Sequence, residues 1–352
     1  MDVPPESIAV TGVAGLLAQR LLPFLDAMPG VTRVVGLDVR EPARRMRGFE
    51  FHRVDIASRD LAALLDGVDT VVHLAGVVES TPDRELLRHV DIEGTRRVLA
   101  AAATVGARAF VQTSSAAVYG AWPNNPVPIT EAAPLRPNPG YLPALHDAEN
   151  ERRVAQWCGD HPNARAVTLR LAPVVGPGVH GVLARAAVGR PPVSLRGVER
   201  PIQVVHVDDA AAALALAIEN GELRGAFNVA ADGWMTDAAV RALVGPRPPA
   251  LPDDLARRAL HALWSSGLGD APPAVLPYLR YPWVVANDRL RAAGWQPQHT
   301  NEAAIVASPR LAAPTITPRR VAIATAAVVG TAGAGVGAAR VARHVWVRRT
   351  RG

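Results

Sequence analysis

Short apolar runs alternate with helix-length amphipathic segments through the first half of the chain. The runs are rich in β-branched residues, as expected for strands that are buried on both faces of a sheet. The six predicted strands are SIAV, VTRVVGL, FEFHRV, TVVHLA, AFVQTS and AVTLRL. The segments between them are long enough for crossover helices, which are right-handed. The alternation predicts an α/β fold, specifically a Rossmann-type doubly wound parallel sheet.

The pattern changes after Arg170. Turn-rich stretches then surround one further apolar run, PIQVVHV, and one helical segment, DDAAAALALAIENG. We therefore interpret residues 1–170 as the sheet domain, which receives further segments from the second half of the chain. Residues 171–302 are predicted to form a smaller C-terminal lobe, and residues 303–320 a linker.

The last apolar run extends from Val321 to Ala339 and contains no charged residue, with Arg320 before it and Arg340 after it. Its 19 residues are just enough to cross a bilayer as a helix. Gly333 belongs to a G-x-x-x-G pattern, which is typical of packing faces in membrane helices. The run predicts a C-terminal membrane helix, with a segment lying on the membrane surface and a disordered tail as alternatives.

Composition narrows the function classes. All 38 basic residues are arginine, and the chain has a net charge of +6. Because the arginines are scattered and six of them fall between Arg319 and Arg349, they do not predict a nucleic-acid-binding face. Cys158 is the single cysteine, which excludes an internal disulfide and favours a reducing compartment. The start, MDVPPES, has no signal-peptide pattern, so we expect a cytoplasmic protein, held at the inner face of the plasma membrane if the tail anchors it.

A glycine-rich loop follows the first predicted strand. In IAVTGVAGLLAQRL, Gly12 and Gly15 lie between a strand and a helix, and the third glycine position of the loop is Ala18. Backbone N–H groups and the helix dipole at such a junction receive a pyrophosphate, and small residues let it approach. The loop therefore predicts a dinucleotide site.

The type of dinucleotide depends on Asp38, which ends the second predicted strand. A carboxylate at this position accepts hydrogen bonds from ribose hydroxyls and repels a 2′-phosphate, so NAD is favoured over NADP. Arg33 and Arg40 are nearby cations that keep NADP as the less favoured alternative. Asp55 follows the third strand and is predicted to contact the adenine. No spacing of His, Cys, Asp and Glu predicts a metal site.

Five motifs in order carry a resemblance to a known family: TGVAGLLA, GLD, VVHLAG, HVDIEGTRRVLAAAATVGARAFVQTSSAAVYG and VVHVDDAAAALALAI. The chain resembles the NAD-dependent epimerase/dehydratase branch of the extended short-chain dehydrogenases/reductases, from about Ser7 to about Gln298. The resemblance implies that 1–170 binds NAD and that 171–302 binds the substrate, often a nucleotide sugar. A homodimer is kept as a candidate assembly, since the sequence does not determine the oligomeric state. The resemblance implies these cofactor-binding residues: Thr11, Gly12, Ala14, Gly15, Leu16, Asp38, Asp55, Ile56, Leu74, Ala75 and Gly76.

The resemblance also implies Ser115 as the serine that hydrogen-bonds the reacting oxygen, and His206 and Asp208 as architectural residues. The family needs a tyrosine with a lysine four residues later, because the cation lowers the pKa of the phenol. Tyr141 has Leu145 at that spacing, and the chain contains no lysine.

A second alignment, anchored on AENERRVAQW, replaces the tyrosine and the lysine by Pro143 and Asp147. Tyr119 and His73 are expected to be packing residues rather than reacting ones. The predicted function is an NAD-dependent epimerase/dehydratase-like oxidoreductase that acts on a nucleotide sugar or related alcohol by hydride transfer, with Ser115 and Tyr141 as catalytic residues. The alternative is a catalytically degenerate dinucleotide-binding sensor or scaffold.

Overall fold

The computed structural model describes residues 5–77, 81–188, 191–245, 247 and 249–308. Its strands are β1 (Ser7–Thr11), β2 (Arg33–Asp38), β3 (Phe49–Arg53), β4 (Thr70–His73), β5 (Ala109–Ser115), β6 (Arg165–Leu171), β7 (Val174–Val175), β8 (Ser194–Leu195), β9 (Val205–His206), β10 (Gly225–Val229) and β11 (Ala250–Leu251). Seven of these form one parallel sheet in the order β10-β6-β5-β4-β1-β2-β3. The strand order reverses direction beside β1, as in a doubly wound fold.

The helices are α1 (Leu16–Ala27), α2 (Arg84–Leu87), α3 (Thr95–Thr104), α4 (Leu142–Asp160), α5 (Val182–Ala187), α6 (Val207–Glu219), α7 (Asp237–Val244), α8 (Asp253–Ser265), α9 (Leu276–Arg280), α10 (Asp288–Ala292) and α11 (Asn301–Ala307). A π-helical segment at Arg88–Gly94 joins α2 to α3, and short 3₁₀ turns lie at Ala62–Leu65, Ala116–Tyr119 and Pro273–Val275.

The sheet is buried on both faces. Successive side chains of β1 alternate between two apolar clusters, with Ile8 and Val10 in one and Ala9 in the other. Helices α1 and α6 pack against each other over the first face, while α3 and α4 cover the second. This double cover explains why the strands contain nearly continuous apolar runs.

The six predicted strands of the sheet are confirmed, and the apolar pattern misses β10. That strand is short, and it pairs with β6 alone at the sheet edge, so its sequence GAFNV carries only a weak signal. The run PIQVVHV is a strand only at β9. Gln203 lies in its middle, with its side-chain nitrogen within hydrogen-bond distance of the carbonyls of Ala231, Gly233 and Val285, and its oxygen accepts the N–H of Val285.

The second half adds a separate apolar cluster built from α5, α8 and α9, against which the β8–β11 pair packs; a second two-stranded pair is β7–β9. The division at residue 170 stays a prediction. The predicted linker 303–320 begins inside α11, where Ala304 and Ile305 are buried, so its first residues are helical instead. The predicted membrane helix at 321–339 lies outside the described residues. Within the described part of the chain, no helix is both long enough and apolar enough to span a bilayer.

Candidate active site

The loop between β1 and α1 forms the first part of the site. Gly12 has a φ of +69°, and its N–H donates to the Leu37 carbonyl at 2.8 Å. A Cβ at Gly12 would stand 2.8 Å from the Ala75 backbone, which is closer than carbon atoms pack. Gly15 caps α1 without a side-chain hydrogen bond, so the first N–H groups of the helix are left for a ligand. This cradle has the shape and the donors that the predicted pyrophosphate requires.

Asp38 lies next to the loop at the end of β2. Its Oδ2 accepts the N–H of Ala14 at 2.9 Å, and its Oδ1 accepts the N–H of Arg40 at 2.9 Å. Each carboxylate oxygen keeps acceptor capacity beyond this one bond, so the side chain can hold the loop and still accept ribose hydroxyls. The contact with the ribose stays a prediction.

One of the two cations considered for NADP is in the wrong place. Arg33 is the first residue of β2 and Asp38 the last, so the two side chains lie at opposite ends of the strand. Its guanidinium pairs with Glu50 at 2.9 Å and donates to the Asp66 carbonyl at 2.6 Å. The bond to Glu50 is the main reason that the pKa of Arg33 is raised. Arg33 is thus unavailable to a 2′-phosphate, which leaves Arg40 as the candidate.

Asp55 and Ile56 contribute mainly to local structure. The Asp55 carboxylate accepts from Ala57 N–H at 2.9 Å and Ser58 Oγ at 2.7 Å, and it contacts His89 at 3.1 Å. Burial acts to raise the pKa of Asp55, but these hydrogen bonds outweigh it and lower the pKa. Ile56 is buried against the π-helical segment. Adenine recognition by these residues stays a prediction.

A histidine braces the cofactor side of the site. His73 Nδ1 lies 2.7 Å from Thr11 Oγ1, and His73 Nε2 lies 2.9 Å from Thr95 Oγ1. Thr11 Oγ1 also accepts the N–H of Ala75 at 3.3 Å, and the Leu74 N–H donates to the Thr11 carbonyl at 3.2 Å. Burial lowers the pKa of His73 to about 4, so the ring is neutral at pH 7. The expectation that His73 is a satisfied core histidine is confirmed.

A cavity of about 670 Å³ lies at the carboxyl ends of β5 and β6. Its walls come from the sheet, from the start of α4 and from α5, and they are mostly apolar. Val77, which follows the predicted cofactor residue Gly76, lines the same cavity, so the cavity adjoins the predicted cofactor site. The lining includes the polar or ionisable residues Thr81, Arg84, Ser114, Ser115, Tyr141, Asp147 and His180.

Ser115 and Tyr141, the two predicted catalytic residues, both line this cavity. The Ser115 hydroxyl accepts the N–H of Ala117 at 3.1 Å and so caps the 3₁₀ turn after β5. Tyr141 caps α4 and packs on the Tyr278 ring, with centroids 5.0 Å apart. Its hydroxyl has no hydrogen-bond partner among the described residues. Burial, aided by Tyr278 and Asp147, raises the pKa of Tyr141, which is opposite to the shift that a catalytic phenol needs.

The helix position that faces the cavity is Asp147, not Leu145. Burial, together with the neighbouring carboxyls of Asp91 and Glu151, raises the pKa of Asp147 well above its ordinary value, and the Ser115 N–H partly opposes this. Both neighbouring carboxyls have their own partners. Asp91 pairs with His146 at 3.0 Å, and Glu151 pairs with Arg170 at 2.6 Å.

No counter-ion meets the Asp147 carboxyl among the residues that the structure describes. The signal for Asp147 is present in the sequence, in the alignment anchored on AENERRVAQW. Both Pro143 and Asp147 of that alignment line the cavity, as does Tyr141 of the other, so the choice between the alignments stays a prediction.

The remaining expected architectural residues all have side-chain partners; Tyr119 and His206 are buried, whereas Asp208 is partly exposed. Tyr119 accepts a hydrogen bond from Arg170 at 2.7 Å and donates to Asn228 at 2.8 Å, which confirms that it packs. His206 stacks on His299 with centroids 3.9 Å apart, and burial is the main cause of its lowered pKa. Asp208 bonds Arg20 at 3.0 Å and thereby links α6 to α1. Across the described residues, no group of His, Cys, Asp and Glu has a metal-binding arrangement.

Comparison with known proteins agrees with this geometry. The model of the NAD-dependent epimerase/dehydratase family matches residues 8–230. A protein of uncharacterised function from Mycobacterium tuberculosis is 30% identical over 315 residues, which cover 84% of this chain and 81% of that protein. The dTDP-glucose 4,6-dehydratase of Streptomyces griseus is 32% identical over 150 residues, 38% of this chain and 44% of that enzyme. The UDP-glucose 4-epimerase of Thermus thermophilus, solved with NAD, superposes with a TM-score of 0.64 and 25% identity, covering 86% of this chain and 97% of that one.

Proposed function

Because the chain belongs to the NAD-dependent epimerase/dehydratase family, we propose that it is an NAD-dependent oxidoreductase acting on a secondary alcohol, with a nucleotide sugar as the predicted substrate class. One observation carries this proposal. Ser115, Tyr141 and Asp147 line a single cavity, and this cavity adjoins the predicted cofactor site at Val77. A reacting hydroxyl in this cavity would meet both a hydrogen-bonding serine and an ionisable group.

NAD supplies the hydride acceptor when it is bound. The cradle of Gly12 and Gly15 would hold its pyrophosphate at the start of α1, and Asp38 would bind a ribose. The glycines would position the dinucleotide through backbone geometry, and Asp38 through its carboxylate. They leave proton transfer to other side chains.

Proton transfer is the step for which this chain departs from its family. An alcohol loses a proton as its carbon loses a hydride, so an adjacent group has to accept that proton. We assign Ser115 to the reacting oxygen and the Asp147 carboxyl to the proton. An acid or base works best when its pKa lies near the working pH, and burial moves the pKa of Asp147 upward in that direction. Tyr141 is the weaker candidate, because burial moves its pKa away from neutrality.

The cavity also bears on the substrate. Arg84 is the one arginine among its described lining residues, and most of the other walls are apolar. A sugar diphosphate would therefore rely on Arg84, whereas a less polar alcohol would fit the walls directly. UDP-sugars and apolar secondary alcohols are accordingly the two substrate sets to compare.

The test is single-turnover reduction of NAD by each candidate alcohol. Removing a proton-transfer group costs about 10²- to 10⁴-fold in rate. We expect losses in this range for Ser115→Ala and Asp147→Asn, and a loss below tenfold for Tyr141→Phe. Thr104→Ala is the matched control, since that hydroxyl bonds only its own helix at Ala100. NAD binding without reduction by any alcohol, together with unchanged behaviour of Ser115→Ala, would reject the enzyme.

The second candidate function is a dinucleotide-binding sensor or scaffold without turnover. It is favoured by the missing lysine and by the Tyr141 hydroxyl, which has no hydrogen bond within the described residues. It predicts tight NAD binding with no reaction.

Membrane attachment through 321–339 and homodimer formation stay predictions from the sequence. Comparing the membrane fractions of the full chain and of a chain ending at Arg320 tests the first. Sedimentation of the full chain tests the second.

A further inference from the structure

The cavity of about 670 Å³ at the carboxyl ends of β5 and β6, called the large cavity below, has one polar end. Ser115 ends β5, and its N–H donates to the Asp147 carboxyl on α4. Ser114 donates its hydroxyl to Glu151 at 2.6 Å, so that hydroxyl already has an acceptor. Tyr141 lines the cavity from the start of the same helix. The less exposed polar groups of the described lining therefore gather where β5 meets α4.

Away from this end, the wall is mostly apolar and comes from the second half of the chain. Trp283 is buried, and its indole N–H donates to the Tyr278 carbonyl at 3.1 Å, so the ring offers a ligand an apolar surface and no donor. Prolines and aliphatic side chains continue this surface. Its residues include Val182, Leu183, Trp264, Pro272, Pro273 and Trp283.

The large cavity offers little positive charge to an anionic substrate. Arg84 is the one arginine of its described lining, and it is exposed on the short helix α2, as is His180 on its own loop. Burial raises the pKa of Asp147, which favours the neutral form of that carboxyl inside the cavity. A diphosphate brings two negative charges, and burying a charge without a partner costs far more free energy than burying a neutral group. The lining is thus matched to a neutral ligand.

The other arginines of the second half that line a cavity lie beyond α5. Arg200, Arg241 and Arg247 line a separate cavity of about 240 Å³. Helix α5 contributes Leu183 to the large cavity and Ala186 to the smaller one. None of the three arginines lines the large cavity in the part of the chain that the structure describes, so a charge held inside the large cavity would not meet them there.

We propose that the large cavity takes a neutral secondary alcohol with an apolar body, rather than a nucleotide sugar. This inference rests on the proposed oxidoreductase function, for which it names the substrate class. The hydroxyl of the alcohol lies at Ser115 and Asp147, and its apolar body lies against Leu183, Trp264 and Trp283. The volume, about 670 Å³, falls within the roughly 300–1,000 Å³ of pockets that enclose small organic ligands.

The experiment is equilibrium dialysis of the full chain against two neutral secondary alcohols, cyclododecanol and 2-adamantanol, and separately against UDP-glucose. Each ligand is measured with and without NADH. Because NADH cannot react with an alcohol, dialysis reports binding without turnover. We expect at least one of the two alcohols to bind about tenfold more tightly than UDP-glucose, since even one methylene in an apolar pocket changes recognition by roughly 10- to 200-fold.

Two leucines at half-buried helix positions give a matched pair of variants. Leu183 lines the large cavity from α5, whereas Leu216 of α6 is not among its described lining residues. Leu183→Asn should weaken binding of the alcohol by about tenfold, and Leu216→Asn by less than about twofold, because only the first puts an amide against the ligand. Val174→Thr, which adds a hydroxyl to the lining at nearly unchanged shape, is a second variant in case Leu183→Asn disturbs folding.

NAD titration of each variant reports whether the sheet domain is intact. Tighter binding of UDP-glucose than of either alcohol, or binding of neither alcohol, would overturn the proposal. Equal effects of Leu183→Asn and Leu216→Asn in folded protein would overturn it as well. Failure of the proposed oxidoreductase has a different signature, in which an alcohol binds on dialysis but does not reduce NAD in the single-turnover assay. That result would leave the ligand class of the large cavity standing.

Discussion

The glycine loop and the start of α4 both lie at the carboxyl ends of the sheet, but they are built in different ways. At the loop, the decisive features belong to the backbone: a positive φ at Gly12 and its close approach to Ala75. At α4, the decisive features are side chains: Tyr141 and Asp147 line the cavity, and Leu145 does not. The loop is thus defined by backbone geometry and the start of α4 by side-chain chemistry, and the chain has no lysine to serve at α4.

This difference explains what a sequence can reveal about each region. A backbone constraint leaves small residues at a fixed spacing, which is why Gly12, Gly15 and Asp38 can be recognised. The role of a helical side chain depends on which face of the helix it occupies. Each residue turns the helix by about 100°. Leu145 and Asp147 differ by about 200°, so a two-residue change in alignment exchanges the cavity face for the opposite one.

The largest expected effect is on the backbone side. Gly12→Ala combines a positive φ with a contact of 2.8 Å to the Ala75 backbone. The φ costs about 1–3 kcal/mol and the overlap about 1–3 kcal/mol more. Gly106→Ala is the matched control, because its φ is +70° and nothing lies within 4 Å of the added carbon. Chemical denaturation should show a larger loss for Gly12→Ala, along with lost NAD binding. Equal losses would mean that the loop has no tight approach.

The second effect concerns the pH dependence contributed by His73. Its pKa is about 4 when folded and about 6.5 when unfolded, so the unfolded chain binds more protons in this range. Stability is therefore lost as the pH falls from 6.5 to 4, by about 3 kcal/mol. His73→Gln should remove most of this slope in denaturation curves, while His261→Gln, at an exposed helix position, should keep it. Parallel curves for the native chain and His73→Gln would contradict a neutral buried ring.

The sequence predicts six of the seven strands of the sheet. It fails where a strand is too short to show a pattern, and where residues that are distant along the chain meet in the fold. The edge strand β10 has too few apolar residues for a clear pattern. Arg200 lines one cavity together with Arg241 and Arg247 although it lies far from both along the chain, and no local spacing predicts that contact. Asp147 is present in one of two alignments, but burial, which decides its protonation, exists only in the folded chain.

A third effect tests cofactor choice on the backbone side. Asp38→Asn should weaken NAD binding by about tenfold, since hydrogen bonds to charged groups contribute about 1.5–3 kcal/mol. NADP should lose less, because the repulsion of its 2′-phosphate disappears at the same time. Titration of both dinucleotides measures this, with Asp26→Asn at an exposed position of α1 as the control. Equal losses for both dinucleotides would argue against a ribose contact.

A fourth effect tests the carboxyl at α4. Because the pKa of Asp147 is raised, the folded chain binds a proton at this carboxyl more tightly than the unfolded chain does, so this residue costs stability as the pH rises above the ordinary aspartate pKa of about 4. Asp147→Asn should therefore stabilise the fold, by on the order of 1 kcal/mol. Thermal unfolding should show a greater gain at pH 8 than at pH 5. Asp254→Asn, at an exposed position of α8, should show no such trend. A gain in stability that does not grow with pH would contradict the raised pKa of Asp147.

The smallest expected effect distinguishes the two faces of α4 directly. Leu145 is not among the described residues of the cavity lining, so Leu145→Lys should change the single-turnover rate less than twofold and leave the titration of Tyr141 unchanged. Asp147→Lys places the same cation in the cavity, where Asp147 now helps to raise the pKa of Tyr141, and should lower that pKa. Ultraviolet titration of tyrosinate, with Tyr141→Phe to assign the signal, measures both. A gain in rate for Leu145→Lys would instead show that the missing cation belongs on the Leu145 face, and it would favour Tyr141 over Asp147 as the proton-transfer residue.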